Sequence, residues 1–439
     1  MSPELRLVFE LRQGDAAPVT LTAWIGPDYF DLIEGGHETL YDFKLRRRLV
    51  LDRTAGTFAN LSLYGDVAFR RFDMEKRVEL AGMFSAGAGG KEQPLALKPF
   101  WIESDVGVPT GLTPRTVVAQ ETVADGSLRF RVNGEEVGLF VPKPGRLPLR
   151  IGQTFARFLR YRLQLHPDIV GALEEDGRLP QRLIFVVVAG EDRRPGGLVL
   201  RKSEMVNDDY PLPATLRSVP IPAGADDTDA STLRALLPVM LDAVAGKWGN
   251  GPRSLADYRR AIDEALQHKQ GFQAALLLAE MTMQYGRAAN DCTTGPPDVP
   301  CHDADELSKR LAGDARAAKL YKAQLLQSKD PKQALALWQG LRRDDVTDGY
   351  VVDIFLAGLE SAGNRADAAV EFVRGMRGNP YLGALYKDLG DYFLRGARVD
   401  LAWLCYDLGR SLPGGGRTGP LTSVDGLELR LAQAYSNFF

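Results

Sequence analysis

The side chains that most often carry catalysis are sparse in this chain and are not spaced for it. It has four histidines, His37, His166, His268 and His302. None has a second histidine one helical turn away, the spacing that aims two imidazoles at one metal ion. His37-Glu38-Thr39 is a fragment of such a motif without its second ligand. No Gly-x-Ser-x-Gly elbow occurs to expose a nucleophilic serine. Residues 85–92, SAGAGGKE, resemble a phosphate-binding loop only superficially. The leading glycine is out of place, and Glu92 stands where a magnesium-binding hydroxyl belongs. Asp226, Asp227 and Asp229 lack the central glycine and closing glutamate of a calcium loop and read as a solvated linker. Carboxylates are plentiful, but sequence alone does not bring two of them within the few ångströms that acid–base work needs. The expectation is a protein that is not an enzyme and holds no cofactor or metal. A hydrolase using acids of the N-terminal half is the lesser alternative.

The cysteines are more telling. Cys292 and Cys301 bracket the segment CTTGPPDVPC, too rich in proline and glycine to be helical. A disulfide between them would clip the insertion and lower the entropy of the unfolded loop by about 2–3 kcal/mol. It would also imply an oxidising compartment. The alternative is a pair of free thiols in a cytoplasmic loop. Together with His302 the pair falls short of the four ligands of a zinc site. Cys405, beside Tyr406, reads as a small buried hydrophobe.

The composition bounds the class. A chain of 439 residues with 45% hydrophobic content is expected to form two or three domains. A net charge of −3 gives no reason to expect a nucleic-acid partner. Arg46, Arg47 and Arg48, and Arg157, Arg160 and Arg162, are basic clusters expected to face solvent or pair with acids. No stretch approaches the roughly 20 apolar residues of a membrane span, so no transmembrane segment is expected. Peripheral contact with a membrane or lipid is left open. The N-terminus is charged and alternating, unlike a signal peptide, and fits a chain whose leader has been removed. A periplasmic or secreted location is expected, with the cytoplasm as the alternative.

Stepwise patterning assigns the elements that must position these residues. Leu5, Leu7, Phe9 and Leu11 alternate with polar residues as a half-buried strand does. Short strands follow at 19–25, 29–33, 39–43, 48–52 and 57–63, separated by glycine-rich turns. Their spacing of about ten residues points to an antiparallel meander. Residues 66–84 change to a helical period. Asp125-Gly126 and Asn133-Gly134 punctuate three further strands as two-residue hairpin turns. A helix is expected over 152–175, and strands over 183–188 and 197–205. Residues 207–230, rich in proline and aspartate, mark a boundary. The fold class expected is α+β: a largely antiparallel sheet domain over 1–222, then an all-helical domain over 231–439. Ser231 and Ser254 are candidate helix N-caps. A short helix over 427–438 is expected to cap the array and bury the aromatic terminus.

Ala334, Ala368 and Ala402 recur every 34 residues, each followed four residues later by a ring: Trp338, Phe372 and Tyr406. A small residue lets two helices approach, and the ring fills the space between pairs. The best unit starts at Gly383, with Tyr386, Leu389, Gly390, Phe393, Ala402 and Tyr406. One period earlier stand Phe355, Leu359, Ala368, Phe372 and Pro380, and before those Tyr321, Leu325, Ala334 and Trp338. A weaker unit holds Tyr258, Ala274 and Leu278. On these residues the C-terminal half resembles the tetratricopeptide repeat family over about 250–412. The resemblance implies a solenoid whose concave face binds a protein or peptide segment. Family positions on the first helix of each unit then fall on Arg316, Lys319 and Ala323, on Tyr350, Asp353 and Ala357, and on Ala384, Lys387 and Asp391. The asparagines of members that clamp a carboxyl-terminal tail are absent, so no such clamp is expected. The N-terminal half bears a weaker likeness to the curved sheets of periplasmic lipoprotein carriers. That implies an apolar cavity lined by residues such as Trp24, Phe30, Phe43 and Phe58.

Overall fold

A computed structural model of the chain describes residues 2–14, 16–87, 108–112, 116–163, 165–189, 192–208, 215–221, 227–292, 300–302, 304–342, 348–361, 363, 365–413 and 421–439. Asp226 and most of the SAGAGGKE segment lie outside these residues. The chain forms two units, Met1–Ala223 with Glu428–Phe439, and Gly224–Leu427.

The first unit is built on a sheet whose described strands number twelve. Six form a meander in chain order: β1 (Ser2–Gln13), β2 (Val19–Ile25), β3 (Tyr29–Glu34), β4 (His37–Asp42), β5 (Arg47–Asp52) and β6 (Thr57–Ser62). On the far side of β1 the order continues through β11 (Asp192–Asp208), β10 (Arg178–Ala189), β9 (Glu135–Arg146), β8 (Leu128–Val132) and β7 (Ala119–Thr122). These pairs are antiparallel. The short β12 (Arg217–Val219) adds parallel to β6. Alternation decides the faces. In β2, Leu21, Ala23 and Ile25 are buried, and Thr22 and Trp24 point the other way.

Helix α1 (Leu63–Gly87) follows β6, where a helical period is expected over 66–84. One face is covered by helix α2 (Leu149–Leu163), whose Phe155, Phe158 and Tyr161 pack on Phe9, Phe30, Tyr41 and Phe43. Phe30 and Phe158 meet edge to face at 5.7 Å, a geometry favoured by the ring quadrupoles. The terminal Phe438 joins this core: its ring meets Tyr161 at 5.5 Å and its carbonyl accepts the Tyr161 hydroxyl at 3.0 Å. The opposite face carries a smaller cluster of Tyr29, Leu40, Leu49 and Leu51, with Phe58 and Leu216 against it.

Several local expectations need correction. The helix expected over 152–175 is two helices, α2 and α3 (Pro167–Asp176). Proline opens α3 after the His166 cap, because its missing N–H costs nothing in a first turn. Asn133 and Gly134 both adopt positive φ, as a tight hairpin turn requires. Asp125-Gly126 does not make a two-residue turn. Only Gly126 has positive φ, and the wider loop closes by Val123 N–H to Ser127 carbonyl at 2.8 Å. Trp24, Phe30, Phe43 and Phe58 do not line one cavity. Phe30 and Phe43 are in the α2-covered core, whereas Trp24 and Phe58 lie on the other face.

The second unit is helical. Its helices are α4 (Thr228–Val244), α5 (Leu255–Gln267), α6 (Gly271–Tyr285), α7 (Ala304–Arg310), α8 (Ala315–Leu326), α9 (Pro331–Gln339), α10 (Tyr350–Glu360), α11 (Arg365–Gly378), α12 (Gly383–Arg395) and α13 (Val399–Arg410). Consecutive helices pack as hairpins, α5 with α6, α8 with α9, α10 with α11 and α12 with α13. Ser254 caps α5 in a full capping box with Asp257. Ser231 is not the cap: α4 starts at Thr228 and is capped, four residues before Ser231, by Asp227, whose carboxylate accepts the Ala230 N–H. A final helix, α14 (Thr422–Ala434), begins in this unit; from Glu428 on, the chain, with the tight turn Ser436–Phe438, belongs to the first unit.

Ala334, Ala368 and Ala402 are fully buried, as are Trp338 and Phe372, and Tyr406 is 1% exposed. Trp338 stacks on Phe355 of the next hairpin at 4.3 Å, and Phe372 meets Tyr392 of the one after at 5.6 Å. Glycine is required at 390, because a Cβ there would lie 2.2 Å from the Tyr406 ring. Helix α6 lies at the centre. Almost every position from Gly271 to Met281 is buried, and it packs on α8, α10 and α12 as well as on α5. A helix apolar all round has no solvent face to offer.

Candidate functional site

The one charged residue in the buried run of α6 is Glu280, fully enclosed. An isolated buried carboxylate would be costly by several kcal/mol, and the surrounding segments supply donors. The Tyr350 hydroxyl, at the start of α10, donates to Glu280 Oε1 at 2.7 Å. The Asn379 side-chain amide, just after α11, donates to the same oxygen. Arg253, just before α5, reaches Glu280 Oε2 at 3.4 Å and Asp348 at 3.2 Å. Gln273 donates to Asp348 as well. Asn379 Nδ2 also donates to the Tyr258 hydroxyl at 3.3 Å, and that hydroxyl donates to Gln284 at 2.9 Å. Burial raises the Glu280 pKa, and the bonds from Asn379 and Tyr350 and the Arg253 charge pull it back. Burial and the nearby acids push Tyr350 up, so its hydroxyl stays a donor. Gly378 makes room for Tyr350: any Cβ there would run into the ring.

The residues singled out on the first helices are placed as follows. Tyr350 belongs to the Glu280 cluster. Arg316 lies flat on Phe272 of α6, 3.9 Å from the ring centroid, and donates to the Leu341 carbonyl at 3.3 Å. Lys319 packs over Gly340, where a side chain would collide with it. Asp353 pairs with Arg342 at 3.2 Å, and Arg342 also holds the buried Glu371. Lys387 and Asp391 form an ion pair one turn apart at 2.6 Å, and the Tyr406 hydroxyl donates to Asp391 at 2.7 Å. Ala323 and Ala357 are fully buried, and Ala384 is partly so. Lys387 and Asp391 touch each other, and Arg316, Lys319, Tyr350 and Asp353 each have an intramolecular neighbour. Lys319, Asp353, Lys387 and Asp391 all stay partly exposed.

Sequence reasoning missed Glu280, Asn379, Arg253 and Asp348. One signal was available: Glu280 is a lone acid in the apolar run ALLLAEM. Its partners carry no local signal, because they come from segments 27 to 99 residues away in sequence.

The basic clusters of the first unit are engaged internally. Arg48 pairs with Asp66 at 2.9 Å, Arg47 donates to Asn60 at 2.7 Å, and Arg46 donates to the Tyr64 hydroxyl. Arg157 lies over Phe43, Arg160 pairs with Glu174 and Arg162 with Glu34.

Cys292 and Cys301 are joined by a disulfide. Both of its flanks are tied to α5, by Arg259 to the Asp291 carbonyl at 2.8 Å and by His302 to Asp263 at 3.4 Å. Cys405 is buried. No group of metal-ligating side chains occurs among the described residues, and no described helix is long and apolar enough to cross a membrane. Comparison with protein-family models, with curated proteins and with solved structures finds no match.

Proposed function

We propose that this chain is a non-enzymatic protein-binding scaffold whose helical unit is a tetratricopeptide-like solenoid. The partner is a protein or peptide segment held along α8, α10 and α12. One observation carries this reading: the small residues and rings that repeat every 34 residues are all buried, and rings meet across successive hairpins. Because α6 packs on the same three helices, the partner does not enter a deep apolar groove. It meets the partly exposed charges of both signs, Lys319, Asp353, Lys387 and Asp391, which steer and orient more than they tighten. Arg316 and Tyr350 support this face from within. The Cys292–Cys301 disulfide favours a periplasmic or secreted location.

The test is partner capture from a native extract with wild-type protein and with a Lys319→Glu plus Lys387→Glu variant. The partner is expected to be lost from the variant while the circular dichroism of the two proteins stays the same. Equal capture by both would refute the charged face.

An apolar-ligand carrier is the weaker reading, since Phe30 and Phe43 fill a packed core. Native mass spectrometry of the purified protein is expected to show no bound lipid.

A further inference from the structure

Two buried carboxyls share one face of the sheet. Asp31 of β3 is 3% exposed and Glu38 of β4 is 5% exposed. Asp31 lies directly opposite Leu40, and Glu38 is two residues from Leu40 on the same strand, so both side chains point the same way. Arg53, just beyond β5, holds Glu38 through both of its oxygens, with Nε and Nη2 donating. Asp31 Oδ1 is buried and accepts no hydrogen bond.

Among the described residues, the other neighbours on these strands bring Asp31 no second cation. Across from it on β2 stands Trp24, and opposite Glu38 on β5 stands Leu51. Arg6 of β1 lies over the Trp24 ring at 5.1 Å and pairs with Glu204 of β11 at 3.4 Å. Two residues along β3, the Tyr29 hydroxyl donates to Glu4, and Asp42, opposite Tyr29, accepts the Leu45 N–H at 2.7 Å. Two acids therefore face one arginine, and that arginine is committed to Glu38. With both ionised, one negative charge would be buried without compensation.

We propose that Asp31 and Glu38 form a proton-holding pair, with one proton resident on Asp31, and that loss of this proton weakens the β3–β5 part of the sheet as the pH rises. Desolvation, with the Glu38 charge beside it, pushes Asp31 up to about 7. An unfolded aspartate titrates near about 3.9. Below that value both states hold the proton and the pair has no pH dependence. Between about 4 and 7 the folded state keeps the proton and the unfolded state loses it. Stability then falls about tenfold in the folding equilibrium per pH unit, and the loss levels off above about 7.

The test is carbon-13 NMR of full-length protein labelled at the aspartate carboxyls, titrated from acid to mildly alkaline pH in wild type and in Asp31→Asn. Asp388, which burial pushes up to about 6, supplies an internal second signal. One carboxyl titrating near 7 in wild type and absent from Asp31→Asn is the expected result, together with a flatter pH dependence of urea unfolding in the variant. If Asp31→Asn does not fold, Glu38→Gln replaces it: removing the like charge moves the high-titrating signal down toward the ordinary range. An Asp31 carboxyl fully ionised at pH 5 in wild type would overturn the proposal, as would identical pH profiles in wild type and Asp31→Asn.

Discussion

The molecule buries two acids around one arginine in each of its units, and the two sites solve the problem differently. In the helical unit Glu280 and Asp348 share Arg253, and neutral donors from Tyr350, Asn379 and Gln273 fill the remaining oxygens. In the sheet unit Asp31 and Glu38 face one arginine, Arg53, which is bonded to Glu38, and no donor reaches Asp31 Oδ1. Within the β1–β6 meander strands pair with sequence neighbours, so a site there draws its partners from adjacent hairpins. Helical hairpins bring distant segments together, so Glu280 collects donors from the starts and ends of several helices. A buried carboxylate with a full set of donors can stay ionised and act as a structural tie. One without them keeps a proton.

This contrast can be broken from either side. The largest effect is expected from Glu280→Ala, which strands the Tyr350 and Asn379 donors and leaves Arg253 facing Asp348 alone. Removing one member of such a buried charged network costs about 3–5 kcal/mol, read from urea unfolding of the helical signal. Asp31→Asn should act in the opposite direction. At pH 8 it removes the cost of ionising a buried acid and raises stability by about 2–4 kcal/mol, whereas at pH 4 it changes little. A loss of stability at pH 8 would show that Asp31 is a satisfied carboxylate. The smallest effect belongs to Tyr350→Phe, which takes one of several donors from Glu280 and keeps the ring against Gly378. It should cost about 1–2 kcal/mol and raise the Glu280 pKa further, so that more of the loss appears at high pH than at low. A loss as large as that of Glu280→Ala would mean that one hydroxyl carries the cluster.

How far the sequence speaks follows from the range of each interaction. The meander was legible because alternation within a strand fixes which side chains share a face. Which face a residue takes relative to another strand depends on register, and that is why Trp24 and Phe58 were grouped with Phe30 and Phe43. Asn133-Gly134 and the Ser254 cap were legible because their chemistry is local. Ser231 and Asp227 can both cap a helix, and which one does depends on where α4 meets its neighbours. Pro167 marks the break after α2. The alternation of small residue and ring at 334–338, 368–372 and 402–406 correctly flagged buried positions. The packing of α6 on α8, α10 and α12 was not legible, since a run such as AALLLA says only that it is buried, not by what. The candidate site suffered most: Lys387 and Asp391 were readable as helix neighbours, but the Glu280 partners meet only in the folded chain.

On the proposed reading the partly exposed charges on α8 and α12 hold a protein partner, and capture with cross-linking at these positions tests it most directly. A photoreactive residue placed at 319 or 387 should cross-link one recurring protein from a native extract, and the link should vanish in excess salt as screened charge contacts do. Cross-links absent from both positions, or unchanged by salt and by a Lys→Glu change at the other of the two positions, would contradict it.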